Sequence, residues 1–174
     1  TGIYSQVLTN SVGCDSIIAL DITIHPTPSV PEVINENYCL NALADSLKAI
    51  GSILKWYPDS TSSSFQLEAP IPPTSFAGEY AFYVSQMVNI CESPRTSLLV
   101  TVHPLPIVNA GSSFTKSCVA NTNGANIGVE PNGTSSYSWS PSSGLSSATV
   151  SNPLANPAST TTYTLTETNT YGCY

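Results

Sequence analysis

Positive charge is scarce in this chain. Four Lys and Arg stand against eleven Asp and Glu in 174 residues, and charged side chains make up only 9 % of the total. Without a basic stripe nothing displaces counterions from a phosphate backbone, which excludes nucleic acid as a partner. No apolar run approaches the roughly 18 residues that span a bilayer, which excludes direct membrane insertion. Histidine is scarcer still: His25 and His103 are the only two, and each precedes a proline. Hydrolysis needs a nucleophile beside a base, or two carboxylates held together, and neither arrangement is written here. There is no Asp-x-Asp-x-Asp-Gly calcium loop and no glycine-rich loop opening a helix. The expectation is a protein with no catalytic residues, no metal and no cofactor.

What the chain does have is Ser and Thr, 46 by count, with 14 Pro and 10 Gly. This composition suits polar-faced strands and turns, and 41 % hydrophobic content with clean alternation argues against disorder. One pattern occurs three times. Tyr4 is followed by Leu8-Thr9-Asn10 and Gly13-Cys14, Tyr80 by Val84-Ser85-Gln86 and Cys91, and Tyr163 by Thr166 to Asn169 and Gly172-Cys173. After the first two copies a second alternating run, Ile17 to Ile24 and Thr96 to Val102, ends in His25-Pro26 and His103-Pro104. A period near 80 residues signals a tandem array. It predicts three parts: 1–26, the closing strand pair of one domain; 27–104, a complete domain; and 105–174, a domain without its last strand. On this reading the chain is an internal stretch of a longer polypeptide.

The array also suggests how five cysteines are used. Cys39 with Cys91 and Cys118 with Cys173 would each close a loop inside one unit, leaving Cys14 unpaired; buried free thiols are the alternative. Paired disulfides imply an oxidising, extracellular setting. Because Cys91 and Cys173 follow a strand and Cys39 precedes one, the expected bridge ties an opening segment to a closing hairpin.

Within 27–104 the expected strands are Val30–Ile34, Asp45–Ile50, Ile53–Tyr57, Phe65–Leu67, Glu79–Gln86 and Thr96–Val102. A helix over Ala42 to Ile50 is the competing reading, disfavoured by its short length before Gly51. Within 105–174 the expected strands are Ile107–Val108, Ile127–Val129, Tyr137–Ser140 and Thr161–Thr168. Short strands, frequent turns and a Cys…Trp…Cys order predict an all-β fold of tandem immunoglobulin-like sandwiches. Alternation places Trp56 and Trp139 in the core and turns Tyr57 to solvent, where it is the candidate ligand contact.

Several segments carry a family resemblance. Tyr38-Cys39-Leu40-Asn41, Leu54-Lys55-Trp56-Tyr57, Tyr137-Ser138-Trp139-Ser140-Pro141 with Gly144-Leu145-Ser146, and Thr160 to Thr164 resemble the tandem Ig-like repeats of very large secreted and surface proteins of Bacteroidetes. That resemblance implies export by type IX secretion and a place at the cell surface, as in SprB-like giant adhesins, or else in multidomain hydrolases. It also implies O-glycosylation at Asp-Ser/Thr followed by an apolar residue or Thr. Ser16, Ser46 and Ser60 meet this pattern, whereas Asn132-Gly133-Thr134 reads as a plain turn. The implied function is a glycosylated stalk segment of an adhesin or filament for attachment or gliding. Its partners would be neighbouring domains, with surface polysaccharide or attached glycans. The alternatives are a carbohydrate-binding or spacer module of a secreted hydrolase, and a strand-exchanging fibre subunit.

Overall fold

The computed structural model of the chain describes residues 2–131 and 133–174, so the Asn132 turn and Thr1 of the first segment lie outside the described residues. All thirteen regular elements are β-strands, and no helix occurs among the described residues. The fold is all-β, as alternation and turn density predicted. The chain divides into two compact units that draw on interleaved segments: Thr1–Ile34, Lys48–Ala69 and Phe82–Leu98 in the first, Asn35–Leu47, Pro70–Ala81 and Leu99–Tyr174 in the second.

The first unit begins with a hairpin of β1 (Gly2–Thr9) and β2 (Asp15–Ile22), paired from Gly2 opposite Ile22 to Thr9 opposite Asp15. β3 (Glu32–Val33) pairs with β5 (Ala49–Ile50). The Trp-bearing β6 (Leu54–Tyr57) runs antiparallel to β7 (Gly78–Val88), with Trp56 opposite Val84. β8 (Cys91–Glu92) folds back on β7, Cys91 opposite Val88. Asn89, at φ 55, supplies the left-handed residue that this tight reversal requires.

In the second unit β4 (Glu36–Cys39) runs parallel to β9 (Thr96–His103), which sets Cys39 opposite His103. β10 (Ala125–Asn126) pairs with β12 (Leu154–Ala155), and β11 (Ser136–Ser140) with β13 (Thr164–Thr168). β7 and β9 pass through both units, and the strand order of their sheet is β4-β9-β7-β6. Alternation along β9 buries Leu98, Val100 and Val102 completely, the period-2 signature of a half-buried strand. A further core gathers Ile127, Trp139 and Ala155, against which Phe114, Leu145, Tyr163 and Leu165 pack.

Several expected strands are shorter than their sequence pattern. Asp45–Ile50 forms a strand only at Ala49–Ile50, and Phe65–Leu67 contributes one bridge, Gln66 to Trp56. Ile107–Val108 forms none. Ile127–Val129 is not a strand either: Gly128 stands at φ 77, and a Cβ there would lie 2.0 Å from the Ser151 carbonyl oxygen. Only glycine fits that approach, and the turn it makes ends the run. Conversely, polar Glu36-Asn37-Tyr38 makes strand β4, because β9 offers it a backbone partner.

Candidate functional site

The disulfide pairing expected from the repeat is corrected by the structure. Cys39 is bonded to Cys173, with Cα atoms 5.5 Å apart, while Cys91 and Cys118 carry free thiols, as does Cys14. Cys39 and Cys173 both belong to the second unit, whereas Cys91 sits on β8 in the first. Pairing therefore follows spatial neighbourhood rather than the repeat. The parallel β4–β9 ladder carries Cys39 to the level of His103, and the turn at 169–173 presents Cys173 there. Cys39 is the last residue of β4 rather than preceding its strand, and the bond ties it to the turn after β13 instead of to the closing hairpin of its own repeat.

The bridge sits on a braced joint. His103 and Tyr171 stack with ring centroids 3.7 Å apart and planes within 10°. His103 Nε2 lies 3.0 Å from Asn37 Oδ1, a contact in which the ring N–H donates to the amide oxygen. The Leu40 N–H donates to the His103 carbonyl at 2.9 Å, and Asn169 Nδ2 donates to the Pro104 carbonyl at 2.9 Å. Thus the His-Pro joint is held from both sides, by backbone and by the closing turn.

That turn is a reusable part. In Asn169 to Cys173, Asn169 Oδ1 accepts from the Tyr171 and Cys173 N–H groups, each at 3.0 Å, and Gly172 takes φ 81. In Asn10 to Cys14, Asn10 Oδ1 accepts from Val12 at 3.0 Å and Cys14 at 2.9 Å, and Gly13 takes φ 82. An Asx turn followed by a left-handed glycine explains why both copies read Asn-x-x-Gly-Cys. The first copy's cysteine is exposed and free; the last copy's is buried and bridged.

Tyr57, expected to face solvent, is only 5 % exposed, as buried as Trp56 beside it. Alternation does send Tyr57 to the opposite side of β6, but that side is covered as well. The Arg95 guanidinium lies 3.5 Å from the Tyr57 ring centroid, and Phe65 packs at a 6.0 Å centroid distance. The Tyr57 hydroxyl donates to Glu92, which also accepts from Ser85 Oγ at 2.6 Å and Lys55 Nζ at 2.8 Å. Hydrogen bonds from Lys55, Ser85 and Tyr57 lower the Glu92 pKa from the ordinary 4.5 to about 2. Arg95 also ties down the adjacent loop, donating to the carbonyls of Asp59 at 3.1 Å and Ser62 at 2.5 Å. Asp59 is drawn below the usual carboxylate range, first by the backbone N–H and hydroxyl of Thr61 and then by the N–H of Ser62. This network holds a strand and a loop together and keeps Tyr57 away from solvent.

Ser16, Ser46 and Ser60 are all exposed, Ser16 on β2 and the other two in loops. His25 is exposed, and His103 is engaged at its joint. Sequence reasoning missed Asn37, Asn169 and Tyr171 at the joint and Lys55, Glu92 and Arg95 around Tyr57. The recurrence of Asn-x-x-Gly-Cys could have flagged Asn169; nothing in the sequence marks Arg95. No protein-family model matches the chain, and no curated protein matches it.

Proposed function

We propose that this chain is a non-catalytic structural segment of an extracellular repeat array, a stalk portion of a bacterial surface adhesin or filament built from immunoglobulin-like beads. The observation that carries the reading is the Cys39–Cys173 bond, which closes across the His103-Pro104 joint between segments 27–104 and 105–174. A covalent bond there makes the joint resist extension, while stacking of Tyr171 on His103 and the proline limit its bending. Closing a loop with a sequence separation of 134 stabilises the folded chain by about 5 kcal/mol in the chain-entropy model. Such a bond persists in an oxidising compartment, which supports an extracellular location. Exposed Ser16, Ser46 and Ser60 are proposed as glycan attachment points, and neighbouring repeats as the partners. The burial of Tyr57 under Arg95 weighs against the carbohydrate-module alternative, since it removes that reading's contact residue.

Pulling the chain from its two ends tests the mechanical role. With the bond intact, the 134-residue separation is withheld from extension. Reduction should lengthen the fully unfolded chain by about 470 Å at roughly 3.5 Å per residue. An unchanged contour length on reduction would sink the stalk reading, and saturable binding to a polysaccharide would move the chain to the module class.

A further inference from the structure

Each copy of the tyrosine-to-cysteine motif carries a carboxamide six residues after its tyrosine: Asn10 after Tyr4, Gln86 after Tyr80 and Asn169 after Tyr163. A primary amide sets an N–H donor and a carbonyl acceptor side by side, without charge. Gln86, 8 % exposed, uses both. Its Nε2 donates to the Ser29 carbonyl at 2.8 Å, and its Oε1 accepts from the Ser52 N–H at 2.8 Å. Reversing the amide would set donor against donor and acceptor against acceptor, so the two partners fix its orientation. Its base on β7 is held as well. The Gln86 N–H donates to Ser93 Oγ at 3.0 Å, and the Gln86 carbonyl accepts from the Ser93 N–H at 2.9 Å. A Cβ at Gly51 would stand 2.9 Å from Oε1, so glycine there keeps the seat of the amide open. Asn169 repeats the arrangement in the second unit. Its Nδ2 donates to the Pro104 carbonyl at 2.9 Å, and its Oδ1 accepts from the Tyr171 and Cys173 N–H groups at 3.0 Å. Both clasped carbonyls follow a His-Pro joint, and neither Ser29 nor Pro104 belongs to a strand.

We propose that this carboxamide is a joint clasp. It fastens the segment that follows a His-Pro joint to the tyrosine strand, or to the turn ending it, of the repeat that the segment enters. Proline fixes φ and leaves ψ free. A carbonyl held by a side chain fixes the plane of its peptide, which is the freedom that remains. At Pro104 the two devices act on one residue: the ring holds φ, and the Asn169 bond on its carbonyl holds ψ. At Ser29, between Pro28 and Pro31, the Gln86 bond does the same for a residue that has no ring of its own. The position therefore requires an amide rather than a particular length. A carboxylate of the same shape keeps the acceptor and loses the donor, which frees the linker and spares the turn. Gln86 and Asn169 are positioning residues in this scheme, and the scheme stands on the bonds named above without the stalk role.

The test uses the full chain and reads backbone amide order parameters by nuclear magnetic relaxation, which report fast motion residue by residue. Gln86→Met keeps the length of the side chain and loses both polar partners. In it the order parameters of Ser29 and Val30 should fall from the rigid value of about 0.85 to below about 0.6, whatever the pH. Gln86→Glu still accepts from the Ser52 N–H. Near neutral pH its carboxylate has no proton to donate, and Ser29 and Val30 should be as loose as in Gln86→Met. In mild acid, about pH 4, a carboxyl group facing a carbonyl oxygen takes up a proton and donates it, so order should return. A role in packing alone gives no rescue by acid. Asn169→Asp should likewise loosen Leu105 near neutral pH. Its Cys39–Cys173 bond should persist, because the carboxylate still accepts from Tyr171 and Cys173. Rigid Ser29 and Val30 in Gln86→Met would overturn the proposal, and so would a Gln86→Glu chain equally loose at both pH values. If Gln86→Glu fails to fold near neutral pH, Gln86→Met decides alone. A loosened linker with an unchanged contour length on reduction would uphold the clasp and sink the stalk reading, and the reverse pair of results would do the opposite.

Discussion

The β1–β2 hairpin and the β7–β9 pair carry the same sequence pattern and meet opposite fates. Both have a tyrosine strand, an alternating apolar strand and a terminal His-Pro. In one, Val84, Leu98 and Val100 are fully buried; in the other, Leu8, Leu20 and Ile22 are 46 %, 57 % and 39 % exposed. The difference teaches that alternation specifies pairing and the sidedness of a strand, whereas burial requires a second layer. β7 and β9 have neighbours on both sides in the order β4-β9-β7-β6, and among the described residues β1 and β2 pair only with each other. The cysteine turns repeat the lesson. Asn10 to Cys14 and Asn169 to Cys173 share their hydrogen bonds, yet only the second cysteine finds a partner.

The largest separation between the two regions should come from their cysteines. Cys39→Ser should lower stability by about 2–5 kcal/mol, read as a fall in the thermal midpoint that dithiothreitol reproduces in the unmodified chain. Cys14→Ser should leave the midpoint unchanged. Should both variants melt alike, the turn at Cys173 would be no more committed than the turn at Cys14.

Next come the matched core positions. Leu98→Ala should destabilise by about 3 kcal/mol through lost transfer energy and the cavity left behind. Its counterpart Leu20→Ala should stay within about 0.5 kcal/mol, as exposed positions do. Denaturant titration of both variants at low concentration decides this, and similar midpoints would mean that the two hairpins are equally covered.

A smaller effect is expected from the polar network that seals the far side of β6, which β1–β2 lacks. The Glu92 pKa is lowered in the folded chain to about 2 from the ordinary 4.5. The unfolded chain therefore takes up this proton first as pH falls. The stabilisation is fully present above about 4.5 and is lost as pH drops through about 2. Thermal midpoints measured across that window should fall more steeply for the unmodified chain than for Glu92→Gln. Tyr57→Phe should remove about 1.5 kcal/mol, the lower end for hydrogen bonds to a charged group, because Glu92 is partly exposed. Parallel pH profiles for the unmodified chain and Glu92→Gln would show that the network does not couple to folding.

The smallest effect belongs to the Asp59 loop. Asp59→Ala should speed amide hydrogen exchange at Thr61 and Ser62, whose N–H groups it accepts at 2.7 Å and 2.6 Å, without moving the global melt. Unchanged exchange at those two amides would show that Arg95 alone holds the loop.

Much of the β architecture was legible in the sequence, because hairpin strands advertise themselves through period-2 alternation and through residues that tolerate left-handed turns. The pairs β1–β2 and β7–β9, the Trp strands β6 and β11, and the burial of Trp56 and Trp139 all follow from such local signals. What escaped was whatever depends on a distant neighbour. Tyr57 obeys alternation and is still buried, because Arg95, nearly forty residues away in the sequence, covers its ring. β4 carries no apolar pattern and becomes a strand because β9 offers it a free edge. Gly128 interrupts an apolar run that looks like a strand, for a reason visible only where the Ser151 carbonyl approaches.

By itself the sequence determined an all-β chain, its thrice-repeated tyrosine-to-cysteine motif, its Asx-glycine turns and the absence of a basic surface. These depend on backbone sterics and on side chains within a few residues of one another. Only the tertiary structure decided which cysteines pair, which of the matched apolar strands is buried and which tyrosine meets solvent. Those outcomes are set by contacts between segments far apart in the chain, and repetition gives equivalent residues the same local geometry without giving them the same neighbours.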